Sequence, residues 1–373
     1  MESDHVTNAE APLFSPYDFG PMRLKNRMVM APMTRCRATL PGEIPNPLNA
    51  TYYAQRSTAG LIISEATHVT PGGLGFHAMP GIYTDAQRDG WRLVTDAVHE
   101  AGSFIFAQLF HAGRTTHPDL LPDGLGPVGP SAIPIPDGVA HTPEGKLPLP
   151  TPHELTAEEI EQLVADHRRA AEVAKAAGFD GVQLHGANAY LINDFLKDAS
   201  NQRTDSYGGS VQNRLRFPLA IVDELVEVFG PERVGVRLSP LGEHNGIRDS
   251  AVVEHFTEIF AAFDQKQLGH LEVLGAPWMP EQHDGVNAAA RANFSRTLIL
   301  NNGYDAERAH ADLNANAGDL ISFGKPFLAN PDLPERYRLG QPLNELADPY
   351  TLYNVDAGER GYTDYPTMDQ ATA

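Results

Sequence analysis

Short apolar runs rich in β-branched residues recur along the chain, each followed by a polar residue or a glycine and most then by a longer stretch with helical periodicity. Eight such runs predict strands: Arg27 to Met33, Leu61 to Ser64, Phe104 to Leu109, Gly181 to Leu184, Val234 to Leu238, His270 to Leu274, Thr297 to Leu300 and Leu320 to Phe323. Several lack alternation of apolar and polar positions, as parallel strands covered on both faces do. Helical spacing predicts helices over Ala86 to Ala101, Ala157 to Ala177, Val211 to Phe229, Ala251 to Gln267 and Asp305 to Asn314. The second of these carries a start signal, since Thr156 and Glu159 have the spacing of a capping box behind Leu155, and Gly178 stops it. Ser210 is the expected cap of the third, and Gly230-Pro231 closes it.

Crossovers of this length favour right-handed βαβ units, and eight of them can close into a (β/α)8 TIM barrel, an α/β fold. No linker interrupts the rhythm, so a single domain over residues 1–373 is expected. One segment departs from it: residues 118–152 hold ten prolines, which disfavour both a long helix and a central strand. The segment follows the third strand, on the face where barrels build active sites. It is therefore either a lid over a pocket or a hairpin that closes the rim.

Charge narrows the partners. With 28 Lys and Arg against 48 Asp and Glu the net charge is −20, which disfavours nucleic acid and anionic membrane surfaces and leaves small-molecule substrates. Cys36 is the only cysteine, so intrachain disulfides, cysteine-rich zinc sites and cysteine-ligated iron-sulfur clusters are excluded, and redox chemistry needs an organic cofactor. The opening segment, Met1 to Pro12, is polar and acidic, so no leader is expected, and nowhere do 18 apolar residues run together; a cytoplasmic setting is expected.

Residues just past the strand ends carry the candidate chemistry: Thr34, Glu65, Gln108, His185, Arg237, Asn302 and Lys325. They offer hydrogen bonds for a planar heterocycle and cations for an anion. Neither the two flanking carboxylates of a glycosidase nor clustered metal ligands dominate, so no metal is expected. After the fourth strand, His185 and Asn188 can donate to one oxygen with Tyr190 nearby as a phenolic acid, the arrangement that polarises a carbonyl or nitro group. A structural histidine is the equal alternative. Asn302-Gly303 and Gly324-Lys325, after strands seven and eight, suggest a phosphate pocket.

Longer motifs carry a family resemblance across about Leu13 to Pro366. They are Ala31-Pro32-Met33-Thr34-Arg35, Gly60 to Thr67, Gln108 to Arg114, Ser200 to Asp205 running into Tyr207-Gly208-Gly209-Ser210, Arg237-Leu238-Ser239-Pro240, Ala329 to Leu333 and Gly361 to Pro366. The chain resembles the Old Yellow Enzyme family of FMN-dependent ene-reductases. The resemblance implies noncovalent FMN, with Pro32, Met33 and Ala66 against the ring system, Thr34 on its O4, Gln108 on its pyrimidine edge and Arg237 at N1 and O2. It places Asn302, Gly303, Gly324 and Lys325 on the phosphate. His185 and Asn188 fall on the substrate-oxygen pair and Tyr190 on the proton donor, a phenol expected to act near its ordinary pKa of about 10. NADPH or NADH is the implied reductant in a ping-pong cycle. The resemblance implies enones, maleimides, nitroalkenes or nitrate esters as substrates and leaves monomer and homodimer both open.

Some positions depart from the family's habit. Lys325 replaces a common arginine, Phe110 a common tryptophan and Phe76 a common tyrosine, so phosphate contact and pocket polarity should differ; Tyr353 is the candidate substrate-facing tyrosine. Cys36 is expected to be a buried packing residue. An ion pair between Arg237 and Glu65 is the structural alternative for that arginine. A phosphate-ligand barrel without redox turnover, or a degenerate homologue, is the competing function.

Overall fold

The computed structural model describes residues 11–371. The opening segment read as lacking a leader falls mainly on residues 1–10, outside the described residues. All eight expected strands form: β1 (Met28–Met30), β2 (Leu61–His68), β3 (Ile105–Phe110), β4 (Gly181–Gly186), β5 (Val234–Leu238), β6 (His270–Leu274), β7 (Thr297–Asn301) and β8 (Leu320–Phe323). They pair in parallel in chain order and β8 closes on β1. Parallel register then sets which side chains are neighbours: Gln108 beside Gln183, His185 beside Arg237, Arg237 beside Glu272, and Leu274 beside Asn301.

The two strands whose boundaries differ most from the sequence reading, β1 and β2, do so for physical reasons. β1 is shorter than Arg27 to Met33, because after Ala31 donates to the Phe323 carbonyl the chain reaches Pro32, which has no amide for the ladder. β2 is longer than Leu61 to Ser64. Its polar continuation stays in the sheet across a register shift between Ile63 and Ala66, since Ser64, Glu65 and Thr67 all find hydrogen-bond partners in the interior.

Outside the barrel lie α1 (Pro47–Gln55), α2 (Asp85–Glu100), α3 (Ala157–Ala176), α4 (Leu191–Leu196), α5 (Val211–Phe229), α6 (Val252–Asp264), α7 (Pro280–Asn293) and α8 (Ala306–Asn314). The capping box of α3 is present, with Thr156 Oγ1 accepting from the Glu159 amide at 3.3 Å and Glu159 Oε2 from the Thr156 amide at 2.7 Å. Ser210 caps α5, and Gly178 and Gly230 take the positive φ of chain reversal at +93° and +79°. No described helix is long and apolar enough to cross a membrane.

Core packing decides which end of the barrel is open. An antiparallel hairpin, Tyr17–Phe19 with Met22–Leu24, packs Phe19, Met22 and Leu24 against Val29, Leu61, Phe106 and Leu320, residues at or near the strand starts. That apolar plug leaves the C-terminal end for ligands. At that end the proline-rich segment begins with Leu120 and Leu121 in a cluster with Ala66, Leu74, Met79 and Phe110. Further on, Val128–Gly129 pairs with His153–Glu154, and Val139–Thr142 forms a hairpin with Gly145–Pro148. Its base is fastened by Arg114 on the Ile133 carbonyl, Arg203 on the Pro130 carbonyl and the Gln202 amide on Ser131 Oγ.

Candidate functional site

The chain leaving β1 runs through Pro32, Met33 and Thr34 and is held by Glu65. The Glu65 carboxylate, wholly buried, accepts from the Arg35 amide at 2.9 Å and from Tyr53 Oη at 3.3 Å. It is therefore an anchor for this loop and no member of a ligand cage, which corrects the strand-end reading. Arg35 and Arg37 in turn donate to the carbonyls of Leu352, Gly361, Gly358 and Thr351, and Tyr52 stacks on Tyr362 with centroids 4.1 Å apart. These contacts explain the Gly361-Tyr362 motif: they strap the C-terminal segment, with Tyr353, across the barrel mouth. Cys36 is buried as expected, and burial pushes its thiol far above the ordinary range.

Between the strap and strands β7 and β8 lies a cavity of about 490 Å³, lined by Met33, Thr34, Asn302, Gly303, Gly324, Lys325 and Tyr353 among others. Its size suits a cofactor-scale ligand. Among the described residues no protein acceptor takes the backbone amides of Gly303 or Gly324, and Lys325 stands exposed beside them without an acidic partner. Two free amides and an ammonium are chemically suited to anionic oxygens. Gly303 is required here: its φ is +74°, and a Cβ would lie 2.9 Å from Pro277 Cγ. The Asn302 side chain, by contrast, is tied down by donating to the Gly275 carbonyl at 2.7 Å.

The barrel interior beneath is polar and continuous. Gln108 Nε2 donates to Gln183 Oε1 at 2.8 Å, and Gln183 Nε2 lies 2.8 Å from Glu272 Oε2 and 3.0 Å from His270 Nε2. Arg237 donates through Nη2 to Asn301 Oδ1 at 3.0 Å, while its Nε faces Glu272 Oε1 at 3.5 Å. Arg237 thus pairs with Glu272 and not with Glu65. Its buried Nε is turned toward Glu272 and makes no hydrogen bond, while Nη1 has no acceptor among the described residues and is the donor left for a ligand edge. Gln183 and Glu272 were not among the candidates because they sit inside strands, and Asn301 because the expected strand stopped at Leu300; the signal was polar character at inward-facing positions of otherwise apolar runs.

On the other side stand His185, Asn188 and Tyr190. His185 Nδ1 accepts from the Ala187 amide at 3.2 Å, which leaves the hydrogen on Nε2, and burial beside Arg237 holds the ring well below its usual pKa. The imidazole is therefore a neutral donor. Asn188 and Ala189 both adopt left-handed backbone at φ 60° and 61°. This bend is held by the Asn188 amide on Ser239 Oγ at 2.8 Å and the Ala189 amide on Asn193 Oδ1 at 3.0 Å. Among the described residues neither His185 Nε2 nor the Asn188 side-chain amide has a protein partner. Tyr190 packs edge-on to Phe110, with centroids 4.5 Å apart, and to His185, 5.1 Å apart. Burial raises its pKa well above the ordinary value, so the expectation of an unshifted phenol is corrected, and Tyr190 stays protonated through the physiological range. Phe76 stacks on Tyr353 at 6.1 Å, and Ala66 joins the cluster against which Phe76 and Tyr190 pack.

Residues 12–344 match the NADH:flavin oxidoreductase / NADH oxidase family. The chain is 40% identical to 12-oxophytodienoate reductase 7 of Oryza sativa subsp. japonica, covering 98% of this chain and 97% of that one. It is also 40% identical to a probable flavin mononucleotide-dependent alkene reductase of Leishmania infantum, over 95% of this chain and 97% of the relative. Among solved structures, morphinone reductase in complex with tetrahydroNAD superposes with a TM-score of 0.91 at 46% identity, covering 97% of this chain and 99% of that one.

Proposed function

The chain belongs to the NADH:flavin oxidoreductase / NADH oxidase family, the Old Yellow Enzyme ene-reductases, and from that premise we propose that it reduces alkenes conjugated to a carbonyl or nitro group in two alternating half-reactions at one site. It is an FMN-dependent oxidoreductase that draws on a reduced nicotinamide. When bound, FMN would supply two-electron hydride chemistry linking a nicotinamide to an alkene.

The residues present fit that group. Gly303, Gly324 and Lys325, with the Asn302 backbone, suit its phosphate; Pro32, Met33 and Ala66 suit the flat ring; Thr34 and Gln108 suit its polar edge. Arg237, whose Nη1 has no acceptor among the described residues, suits the edge that gains negative charge on reduction.

The observation that carries the substrate reading is the pair of free donors, His185 Nε2 and the Asn188 amide, beside a protonated Tyr190. They grip the acceptor oxygen as charge develops on it, and Tyr190 gives its proton to the α-carbon. Phe76, Phe110 and Tyr353 frame the pocket as an aromatic wall, which fits planar enones and maleimides as well as nitroalkenes and nitrate esters. Residues 118–152 serve as a rim of the single domain and not as a moving lid, a reading supported by the hydrogen bonds at their base. A barrel that binds a phosphorylated ligand without turnover would have no use for these donors and this phenol together.

The test is optical. Purified protein is expected to be yellow, to bleach anaerobically with NADPH or NADH and to recover its colour on adding 2-cyclohexenone. Protein that bleaches but is reoxidised by none of the conjugated acceptors contradicts the alkene reading.

A further inference from the structure

Arg237 is not alone beneath the site. Its register partner on β6 is Glu272, whose side chain is fully buried and whose Oε1 faces Arg237 Nε at 3.5 Å with no hydrogen bond to either atom. The other oxygen of the carboxylate accepts from Gln183, which also accepts from Gln108. The two side chains assigned to the flavin edge, Gln108 and Arg237, are thus joined from below through Gln183 and Glu272. Buried opposite charges this close compensate each other in a medium of low effective dielectric. The field that Arg237 projects toward the ligand is accordingly the field of a pair.

We propose that Glu272 is a positioning and counter-charge residue for Arg237: it lowers the reduction potential of the bound flavin below the value the guanidinium alone would set, and Gln183 holds it in register. The inference rests on the placement of Arg237 at the flavin edge. A guanidinium there favours the reduced, more negative flavin, and a carboxylate behind it opposes that preference. Asn301, on the far side of Arg237, contributes only a neutral amide oxygen. Glu272 is therefore the one formal anion in direct contact with that cation among the described residues.

The test measures the flavin midpoint potential of the holoenzyme, by anaerobic equilibration with a reference dye. Glu272→Gln is expected to move the reduction equilibrium about tenfold toward the reduced form, about 30 mV upward for a two-electron couple, and Glu272→Asp, which keeps the charge, to stay within about threefold of wild type. Arg237→Met is expected to move it the other way. Adding Glu272→Gln to Arg237→Met restores about the same tenfold step. That double variant buries no uncompensated charge, so it carries the measurement if the single variant does not fold. An unchanged or lowered potential on removing Glu272, while Arg237→Met lowers it, overturns the proposal. A potential indifferent to Arg237→Met instead overturns the placement of Arg237 on which the proposal stands.

Discussion

A lysine presents its charge as a point at the end of a flexible stem, whereas an arginine presents a planar fork that matches two phosphate oxygens. Lys325 sits at the lip of the cavity beside the free amides of Gly303 and Gly324. Lys325→Arg is therefore expected to tighten FMN by up to about tenfold, read by fluorescence titration of the apoprotein; weaker binding would show that the side chain does not reach the phosphate. At the same scale, Asn302 and Glu65 show how identity alone misleads. The sequence reading sets both at strand ends where ligands are met, yet Glu65 lies within β2 with its carboxylate held by the Arg35 amide, and the Asn302 amide donates to the Gly275 carbonyl. Position in a barrel nominates a residue, and its hydrogen-bond partners decide what is left for a ligand.

Elements were legible where the sequence marks them locally. β5, β6, β8 and α5 lie where their apolar periodicity put them, and α3 starts at its capping box. Helices α1 and α7 were not foreseen. α1 presents Pro-Leu-Asn-Ala-Thr-Tyr-Tyr, short and without a clear apolar stripe, and is fixed by an Asn46 cap whose partner is Asn49, outside the usual Glu or Gln signature. α7 is mostly polar, with Gly285 inside it, and buries only His283, Val286 and Ala290. Its helicity comes from packing against the sheet and neighbouring helices and not from pattern. The interior layer of Gln183, Glu272 and Asn301 was hidden for a different reason: an apolar run with one polar residue reads the same whether that residue is a defect or part of a network that forms only when eight strands close.

Over the whole molecule, burial fixes the charge state of many histidines. His68, His111, His167 and His270 are held by burial at about 4, 3, 4 and 3. Between the unfolded value of about 6.5 and these folded values, the unfolded chain binds more protons than the native one. Stability therefore falls as pH falls through that window, by up to about 1.4 kcal/mol per pH unit for each such histidine. Asp194, raised by burial to about 6, and Glu65, also raised, act in the opposite sense and are outnumbered. The urea midpoint is expected to be clearly lower at pH 5 than at pH 7; an equal or higher midpoint at pH 5 would show that these rings are not buried neutral.

The same closed barrel brings the unpartnered donors of His185 and Asn188 beside the buried phenol of Tyr190, and the proposed function turns on those two features acting in only one half of the cycle. Stopped-flow comparison of wild type with Tyr190→Phe separates the halves. Reduction by NADPH is expected to stay within about twofold, because no proton is needed from the phenol, while reoxidation by 2-cyclohexenone slows by about 100-fold or more. Equal slowing of both halves, or no slowing of the second, would contradict the account.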